Sequence, residues 1–441
     1  MTSPTNYTTF YTVPSPLPSA EPGYIINSQP SNLATMLAKI AATATRVMYL
    51  STDSLGNPNA VVGTYFEPTA PWTGIGARPL ISMAPGTMGQ GDQCCPSKLF
   101  NQVVYCGGQK NIMAEYQAGN VAAKVDAGHA VFVTDYENLG TSFSTGKAPT
   151  FANRLAQGHA VIDGALAALN LPNTSLTSSS KIVFWGYDQG GGAAGAAAEL
   201  LQTYSPTLYA SGRVVGAYCG SPPSNFFDLI QNLDRSVVAG VVAYLINGLK
   251  VSYPSNVTAI NAALTTLGAG WCVNSQNFCV LQTAMTYGMS PLAPLFTSCT
   301  TLDDVIRLVA TEPFHTMLAA QGLGTVKPAV PVLIDINAND PIISYTSAVQ
   351  LAQNWCALGA DVQLYTSTAA IPTLGLQKTA LIHFVAAQTD DAVSLQWCTD
   401  RFNGVATSPN CAAIGTARIA AASLAATATL GSTAGLGGGG S

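Results

Sequence analysis

The chain has 441 residues, of which 48% are hydrophobic and only 9% are charged, and its formal net charge is −5. This length predicts two domains or one large domain with an insertion, and it is sufficient for a sizeable core. Because no run of basic residues occurs, the composition argues against nucleic acid or an anionic membrane surface as the main partner.

Cysteine usage indicates the compartment. The ten cysteines are spread along the chain without paired C-x-x-C units, and only four histidines occur. This pattern disfavours a structural zinc site and predicts disulfides formed in an oxidising compartment. We therefore expect a protein that is secreted, extracellular or in the cell envelope, with no metal and no cofactor.

The chain ends and the longest apolar run also bear on localisation. The N-terminal residues lack the charged and apolar regions of a signal peptide, so we expect that such a signal is either absent or has been removed. The closing residues 437–441, GGGGS, are typical of an added flexible linker. Residues 237–249 are too few for a membrane-spanning helix, which needs about 20 residues, and predict a buried or interfacial helix.

The first half of the chain alternates between strand and helix patterns. Residues 45–62 alternate around a Gly-Asn-Pro turn and predict an antiparallel hairpin. A short apolar strand at residues 78–86 comes next, then a helix and a strand within 121–140, and then a further helix and strand within 158–185. Strands that alternate with helices indicate parallel β-α-β units and a doubly wound sheet.

A long helical block, from residue 226 to about residue 320, interrupts this pattern before strands resume. A helical block between two parts of an α/β sheet is typical of a cap. We predict a discontinuous α/β core formed by residues 1–222 and 318–425, with a mostly parallel central sheet flanked by helices, and a helical cap at 223–317. Residues 426–441 are predicted to be a flexible tail, and the first thirty residues an extended arm.

The segment Gly186-Tyr187-Asp188-Gln189-Gly190 lies between a predicted strand and a predicted helix. In α/β-hydrolases the pattern G-x-S-x-G forms a sharp turn at this junction and exposes a nucleophilic serine. Here Asp188 stands at the serine position, and no G-x-S-x-G occurs elsewhere in the chain. The turn is therefore predicted to present a carboxylate at the nucleophile position.

An acid and a histidine follow in the chain order that serine-type hydrolases of this fold use. Asp340 follows a predicted strand, and His383 comes 43 residues later, after another strand, in a predicted loop. The acid would orient the imidazole, and the imidazole would move protons to and from the nucleophile or a water. Asp335 is a rival acid, but it lies inside the strand.

The other histidines are His129, His159 and His315. The first two each follow a glycine at the start of an apolar element, so we expect them to be structural. His315 lies in the helical block and has no acidic neighbour in sequence, so a pocket-lining role is the weaker alternative. His383 is the preferred base.

An oxyanion hole needs two backbone N–H donors, one from the residue after the nucleophile and one from a loop after an early strand. Gln189 is the first donor by position. The second is expected from the glycine-rich segment "APGTMGQGD", with Thr87 or Met88 as the candidates.

Several segments resemble the secretory lipase family, the Candida antarctica lipase A type. The matching segments, in the family's order, are "GDQCCPS", "FVTDYENLG", "GYDQGGGAAGAAAE", "NANDPIIS", "NWCALGADV" and "LQWCTDRFNG". Together they span roughly residues 11–403. The resemblance implies an α/β-hydrolase core, an inserted helical cap, secretion, and hydrolysis of acyl esters such as triglycerides.

The same resemblance implies roles for particular residues. Asp340 and His383 match the family's acid and base. One disulfide is implied between Cys356 and Cys411, and another from the Cys94/Cys95 pair into the cap. We further expect a monomer that takes a small-molecule lipid or ester substrate, with a lipid interface through the cap.

The resemblance fails at Asp188, and three hypotheses follow. The first is a lipase or carboxylesterase-type hydrolase silenced or strongly weakened by Asp188, since loss of a triad nucleophile costs about 10⁶ in kcat. Two carboxylates beside the His383 imidazole would also favour its protonated form, which is no base. This hypothesis is the preferred one.

The second hypothesis is an aspartate-nucleophile hydrolase with epoxide hydrolase or haloalkane dehalogenase chemistry, in which an ester intermediate forms on Asp188. It needs a donor for the leaving group, for which Tyr244, Tyr253 and Tyr287 are candidates. The third hypothesis is a non-catalytic lipid-binding protein that uses the cleft under the cap. Such a protein would tolerate loss of His383.

Overall fold

A nine-stranded sheet forms the centre of the fold. The structure, a computed structural model, describes residues 7–35, 38–107, 111–370 and 378–414. The strands are β1 (Ile25–Ser31), β2 (Ala42–Thr52), β3 (Pro58–Pro68), β4 (Leu80–Ala84), β5 (Tyr105–Gly107), β6 (Asn111–Met113), β7 (Ala130–Thr134), β8 (Ile182–Tyr187), β9 (Val214–Gly220), β10 (Val332–Asn337) and β11 (Val362–Ser367).

Helices pack on both faces of this sheet and form the block after β9. They are α1 (Tyr7–Phe10), α2 (Pro96–Leu99), α3 (Ala118–Asp126), α4 (Ser142–Thr145), α5 (Arg154–Asn170), α6 (Gln189–Tyr204), α7 (Pro206–Ala210), α8 (Phe226–Leu233), α9 (Val241–Ser252), α10 (Val257–Ala262), α11 (Thr266–Ser275), α12 (Val280–Tyr287), α13 (Leu302–Val309), α14 (Phe314–Ala319), α15 (Tyr345–Ala357), α16 (Leu381–Thr389), α17 (Asp391–Asn403) and α18 (Cys411–Ile414).

The strand order of the central sheet is β1-β2-β3-β7-β4-β8-β9-β10-β11, and β5 and β6 pair in a separate two-stranded sheet. The pairs β1–β2, β2–β3 and β3–β7 are antiparallel, and the pairs from β7–β4 to β10–β11 are parallel. The predicted mostly parallel sheet is therefore confirmed, and so is the predicted hairpin, which is β2 and β3. In a sheet of this kind the active side chains come from the carboxyl ends of the parallel strands.

The central strands β4, β7, β8 and β10 are buried along their whole length because both faces of the sheet are covered. In β8, Ile182 and Phe184 pack into the core on one face, while Val183 and Trp185 pack into the core on the other. Trp185 stacks on Tyr218 of β9 with ring centroids 5.3 Å apart. The alternation follows from the two-residue period of a strand, and it determines the face of the sheet to which each side chain of β8 points.

Seven helices, α8 to α14, lie between β9 and β10. A disulfide joins Cys94, in the segment after β4, to Cys279 at the start of α12, and a second joins Cys356 to Cys411. Both implied disulfides are confirmed, and Cys94 is the member of the doubled pair that bonds. The division into a core (1–222 and 318–425) and a cap (223–317) stays a prediction, as does the tail, which lies outside the described residues.

Two findings concern expectations for the early chain and for membranes. The extended arm predicted for the first thirty residues is wrong for its last part, because β1 pairs with β2 as the edge strand of the sheet. Tyr11 in the same segment is fully buried, and its hydroxyl hydrogen-bonds Ser97 Oγ at 2.7 Å. Among the described residues, no helix has both the length and the apolar character needed to span a bilayer.

Candidate active site

A strained turn between β8 and α6 presents Asp188. Its backbone has φ 58° and ψ −126°, a conformation that non-glycine residues adopt rarely and at a cost in energy. A Cβ on Gly186 would lie 2.0 Å from the Gly190 carbonyl oxygen, and one on Gly190 would lie 2.0 Å from the Ala84 carbonyl oxygen. The two glycines are therefore required for the close approach of strand and helix, as the sequence predicts.

Asp340 lies in the loop after β10, and its two carboxylate oxygens have separate tasks. Oδ1 accepts hydrogen bonds from the backbone nitrogens of Ile342 at 2.9 Å and Ile343 at 3.1 Å. Oδ2 lies 2.6 Å from His383 Nδ1 and 3.2 Å from Ser221 Oγ. The backbone contacts hold the carboxylate in place, so that it can orient the imidazole.

His383 lies between the two carboxylates, with Nε2 3.5 Å from Asp188 Oδ1. The prediction that His383 lies in a loop is wrong, because it occupies the first turn of α16. Its backbone carbonyl accepts a hydrogen bond from the Tyr187 hydroxyl at 2.9 Å. The helix start and this hydrogen bond together set the position of the ring.

Thr87 contacts Asp188 through two donors. The Thr87 backbone N–H lies 2.9 Å from Asp188 Oδ2, and the Thr87 hydroxyl donates to the same oxygen at 2.7 Å. Gln189 begins α6, where the first backbone N–H groups have no intrahelical acceptor. Met88 has a buried side chain, and its carbonyl accepts from the Val280 backbone nitrogen at 2.9 Å. Of the two candidates in the early loop, Thr87 is the one beside Asp188.

The charges in this cluster stabilise one another. Burial alone lowers the pKa of His383, but the Asp340 charge and the hydrogen bonds to Asp188 and Asp340 raise it to about 10. Burial alone raises the pKa of Asp188, but its hydrogen bond and ion pair with His383 and its bonds to Thr87 bring that pKa below its ordinary value. At neutral pH the cluster therefore holds an imidazolium between two carboxylates.

An apolar pocket of ≈ 700 Å³, counting the part open to solvent, lies against Asp188 and His383. Helices α8, α9 and α12 supply part of its wall through Leu229, Val241 and Val280. The polar lining residues are Thr87, Asp188, Gln189 and His383 at the reaction centre and Arg154, Gln157 and Gln321 beyond it. A largely apolar cleft with few polar groups is the usual form of a small-molecule site.

The rival acid has a different partner from His383. Asp335 Oδ2 accepts a hydrogen bond from the Tyr218 hydroxyl at 2.7 Å, and burial raises the pKa of its carboxyl to about 8. The choice of Asp340 over Asp335 as the partner of His383 therefore agrees with the geometry.

The other histidines lie away from the reaction centre. Burial lowers the pKa of His129 to about 3 and that of His159 to about 4, and both rings pack on aromatic side chains. His315 is not part of the pocket lining, and it has an acidic neighbour after all, since its Nδ1 lies 3.6 Å from Glu312 Oε1 one helical turn away.

The tyrosines considered as leaving-group donors bond elsewhere. Tyr244 hydrogen-bonds Thr283 Oγ1 at 2.5 Å, Tyr253 accepts from Gln321 Nε2 at 2.8 Å, and Tyr287 accepts from Asn274 Nδ2 at 3.0 Å. None of the three lines the pocket. The described residues also contain no group of three or more His, Cys, Asp or Glu side chains that could hold a metal ion.

Three contacts at the site were not predicted from the sequence. They are the Thr87 hydroxyl on Asp188, the Ser221 hydroxyl beside Asp340, and the Tyr187 hydroxyl on the His383 carbonyl. Ser221 directly follows β9, so its place at the carboxyl end of a central strand was a usable signal. The contacts of Thr87 and Tyr187 had no signal in the sequence, because they depend on how segments that are distant in the chain meet.

A family model and individual relatives both indicate that this chain is similar to lipases and esterases. Residues 109–410 match the family described as Secretory lipase. A probable inactive lipase of Mycobacterium tuberculosis is 28% identical over 412 residues, which cover 90% of this chain and 82% of the relative. Lipase 4 of Candida albicans is 26% identical over 413 residues, which cover 91% of this chain and 82% of the relative. A trichothecene C-3 esterase of Fusarium sporotrichioides is 24% identical over 409 residues, which cover 89% of this chain and 83% of the relative.

Solved structures agree on the fold. Candida antarctica lipase A superposes with a TM-score of 0.73 at 21% identity, covering 95% of this chain and 90% of that chain. A rice cell wall degrading esterase from Xanthomonas oryzae superposes with a TM-score of 0.66 at 16% identity, covering 87% and 100%. The predicted α/β-hydrolase class is thereby confirmed.

Proposed function

The chain belongs to the secretory lipase family and is by descent a lipase or carboxylesterase-type hydrolase, and we propose that Asp188 silences acyl transfer at its active site. The proposed site consists of Asp188 at the nucleophile position, Asp340 as the acid, His383 as the base, and the Thr87 and Gln189 N–H groups as oxyanion donors. A relative described as a probable inactive lipase supports this proposal.

The observation that carries the proposal is the contact between Asp188 and Thr87. A tetrahedral intermediate needs a free N–H donor for its negative oxygen. Asp188 Oδ2 lies 2.9 Å from the Thr87 nitrogen, so a carboxylate oxygen already holds that donor. An ester would have to displace a charged acceptor in order to place its carbonyl oxygen there.

The protonation state of His383 opposes acyl transfer for a second reason. With its pKa raised to about 10, the imidazole carries a proton on both nitrogens at neutral pH. Such a ring cannot accept a proton from a nucleophile or a water. In a serine enzyme the same ring faces one carboxylate and a neutral hydroxyl, which stabilise the imidazolium less than two carboxylates do.

The two other hypotheses are weaker. Attack of a carboxylate at saturated carbon would require a donor for the leaving group and a neutral His383 to activate water. The candidate tyrosines do not meet the first condition, since none of them lines the pocket. Lipid binding without catalysis is compatible with the apolar pocket and is the expected residual property of a silenced lipase.

The setting of the protein is proposed from its family. Secretory lipases are exported, so we infer that this chain acts outside the cell or in the cell envelope. Its ligands are proposed to be acyl esters or related lipids that enter the pocket beside His383. A lipid interface formed by the cap at 223–317 and a monomeric state belong to the same proposal.

The experiment is a serine replacement with an isosteric control. Asp188→Ser should gain hydrolysis of short-chain p-nitrophenyl esters by at least about 10³-fold and should take up one activated phosphonate per chain in intact-mass spectrometry. Asp188→Asn, which has no nucleophile, should do neither. A folded Asp188→Ser that neither hydrolyses nor is labelled would overturn the proposal. An ester adduct on Asp188 of the unchanged chain after exposure to epoxides or alkyl halides would replace it with aspartate chemistry.

A further inference from the structure

Ser221, which directly follows β9, is completely buried and has a strained backbone. Its φ of 38° lies in the left-handed region, which glycine adopts freely and serine adopts at a cost in energy. Its backbone nitrogen donates to the Asp335 carbonyl at 2.7 Å, and the Gly220 carbonyl before it accepts from the Asp188 nitrogen at 2.9 Å. The main chain is thus fixed between β10 and the turn that presents Asp188. Because glycine would fit here without strain, the serine points to a role for its hydroxyl.

The Ser221 hydroxyl lies between two groups that can only accept its hydrogen. Its Oγ lies 3.0 Å from the Tyr187 hydroxyl oxygen and 3.2 Å from Asp340 Oδ2. Tyr187 donates its own hydrogen to the His383 carbonyl at 2.9 Å, and the Asp340 carboxylate has no hydrogen to donate. Ser221 is therefore the donor that links the acid to the tyrosine bonded to the His383 backbone.

The same hydroxyl completes the surroundings of the Asp340 carboxylate. The backbone nitrogens of Ile342 and Ile343 donate to Oδ1, and His383 Nδ1 and Ser221 Oγ donate to Oδ2. A carboxylate has about four lone-pair sites, so these four donors match its capacity. Because the Asp340 side chain is buried, loss of the Ser221 hydroxyl would leave one of those sites without its donor.

We propose that Ser221 is a positioning residue for the pair formed by Asp340 and His383. It holds the loop after β10 and, through Tyr187, the first turn of α16 at a fixed separation, so that His383 Nδ1 stays on Asp340 Oδ2. This inference rests on the proposed function, in which Asp340 and His383 are the acid and the base. Ser221 does not line the pocket beside His383, so it acts through these groups and not on a substrate.

The test is an NMR measurement of the His383 Nδ1 proton in the full chain. This proton exchanges with water only when the bond between His383 and Asp340 opens, so its exchange rate reports how firmly the pair is held. Ser221→Ala removes the hydroxyl and keeps the Cβ, and it should speed the exchange by about tenfold, the effect of losing one hydrogen bond. Ser224→Ala is the matched control, because the Ser224 hydroxyl bonds the Ser347 carbonyl at 3.3 Å, and it should leave the rate unchanged.

A kinetic measurement separates positioning from a structural role. In the Asp188→Ser background, Ser221→Ala should lower kcat by about tenfold and leave KM unchanged, because the pocket wall is intact and only the acid and base are displaced. Ser224→Ala in the same background should change neither constant. A rise in KM at constant kcat would contradict the positioning role.

The exchange rates also decide against the proposal in two ways. Equal rates in Ser221→Ala and the unchanged chain would overturn it, and slower exchange in Ser221→Ala would mean that the hydroxyl only withdraws charge from Asp340. If Ser221→Ala does not fold, Ser221→Gly, which relieves the backbone strain, takes its place with the same expectations. The proposed function fails separately, since an inactive Asp188→Ser would leave the exchange comparison in the Asp188 chain intact.

Discussion

Asp188 Oδ2 accepts hydrogen bonds from both the backbone nitrogen and the hydroxyl of Thr87, at 2.9 and 2.7 Å. The side chain at the nucleophile position thus forms a hydrogen bond with the proposed oxyanion donor, the Thr87 N–H. A serine at the same position would have no carboxylate to reach the Thr87 nitrogen, and that donor would remain open for substrate. The Asp188 side chain therefore has two effects: it stands where the serine nucleophile would be, and it occupies the Thr87 oxyanion donor.

Asp188→Asn should lower the pKa of His383 from about 10 towards its ordinary value of 6.5. The substitution keeps the shape of the side chain and removes one of the two negative charges that stabilise the imidazolium. An NMR titration of the His383 ring measures the change, with the far His159 ring as internal reference. A pKa that stays near 10 would contradict the role given to Asp188.

The stability of the chain should depend on pH through the same group. Because the folded pKa of His383 is raised above the unfolded value near 6.5, its stabilisation is complete below about pH 6.5 and is lost as pH rises through about 10. The loss of free energy of unfolding between pH 6.5 and 10 should be larger for the unchanged chain than for Asp188→Asn. Urea unfolding at several pH values gives the free energy of unfolding of both chains as a function of pH. An equal loss in the two chains would refute the contribution of Asp188 to the pH dependence.

Asp340→Asn in the Asp188→Ser background should reduce kcat by about 10⁴-fold, because the amide no longer holds His383 in the tautomer that accepts the nucleophile's proton. The matched control is Asp335→Asn in the same background, since Asp335 bonds Tyr218 and not His383. That control should keep kcat within a few-fold. The opposite ranking of the two variants would make Asp335 the acid.

The glycines of the turn should be sensitive to a single methyl group. Gly190→Ala should destabilise the chain by about 1–3 kcal/mol or prevent folding, because its Cβ would lie 2.0 Å from the Ala84 carbonyl oxygen. Gly270→Ala on α11, where nothing lies within 4 Å of the new Cβ, should instead stabilise it by about 0.5–1 kcal/mol. Thermal unfolding of the two variants checks the contrast.

The disulfide between Cys94 and Cys279 should contribute more than the one between Cys356 and Cys411. It closes a separation of 185 residues against 55, which in the chain-entropy description favours it by about 1 kcal/mol. Alanine pairs at each bridge, compared by urea unfolding, test the order. Cys106→Ala, an exposed free thiol, should have no effect.

The strand and helix order of the sheet was predictable because local patterns specify it. Alternating residues in β2 and β3 and short, mostly apolar runs in β4, β8 and β10 indicate strands by themselves. The first thirty residues were harder, because β1 becomes a strand only by pairing with β2. Edge pairing depends on a partner, and a single segment does not contain that information.

At the site, the residues that meet were predictable from local patterns and chain order, because a glycine-flanked turn presents Asp188 and because Asp340 and His383 follow it in order. The way in which they meet was not predictable, since it places His383 on a helix and the Asp188 carboxylate on the Thr87 donors. Turn geometry is a local property of glycine, whereas hydrogen-bond partners and burial arise between segments that are distant in the chain and meet only on folding.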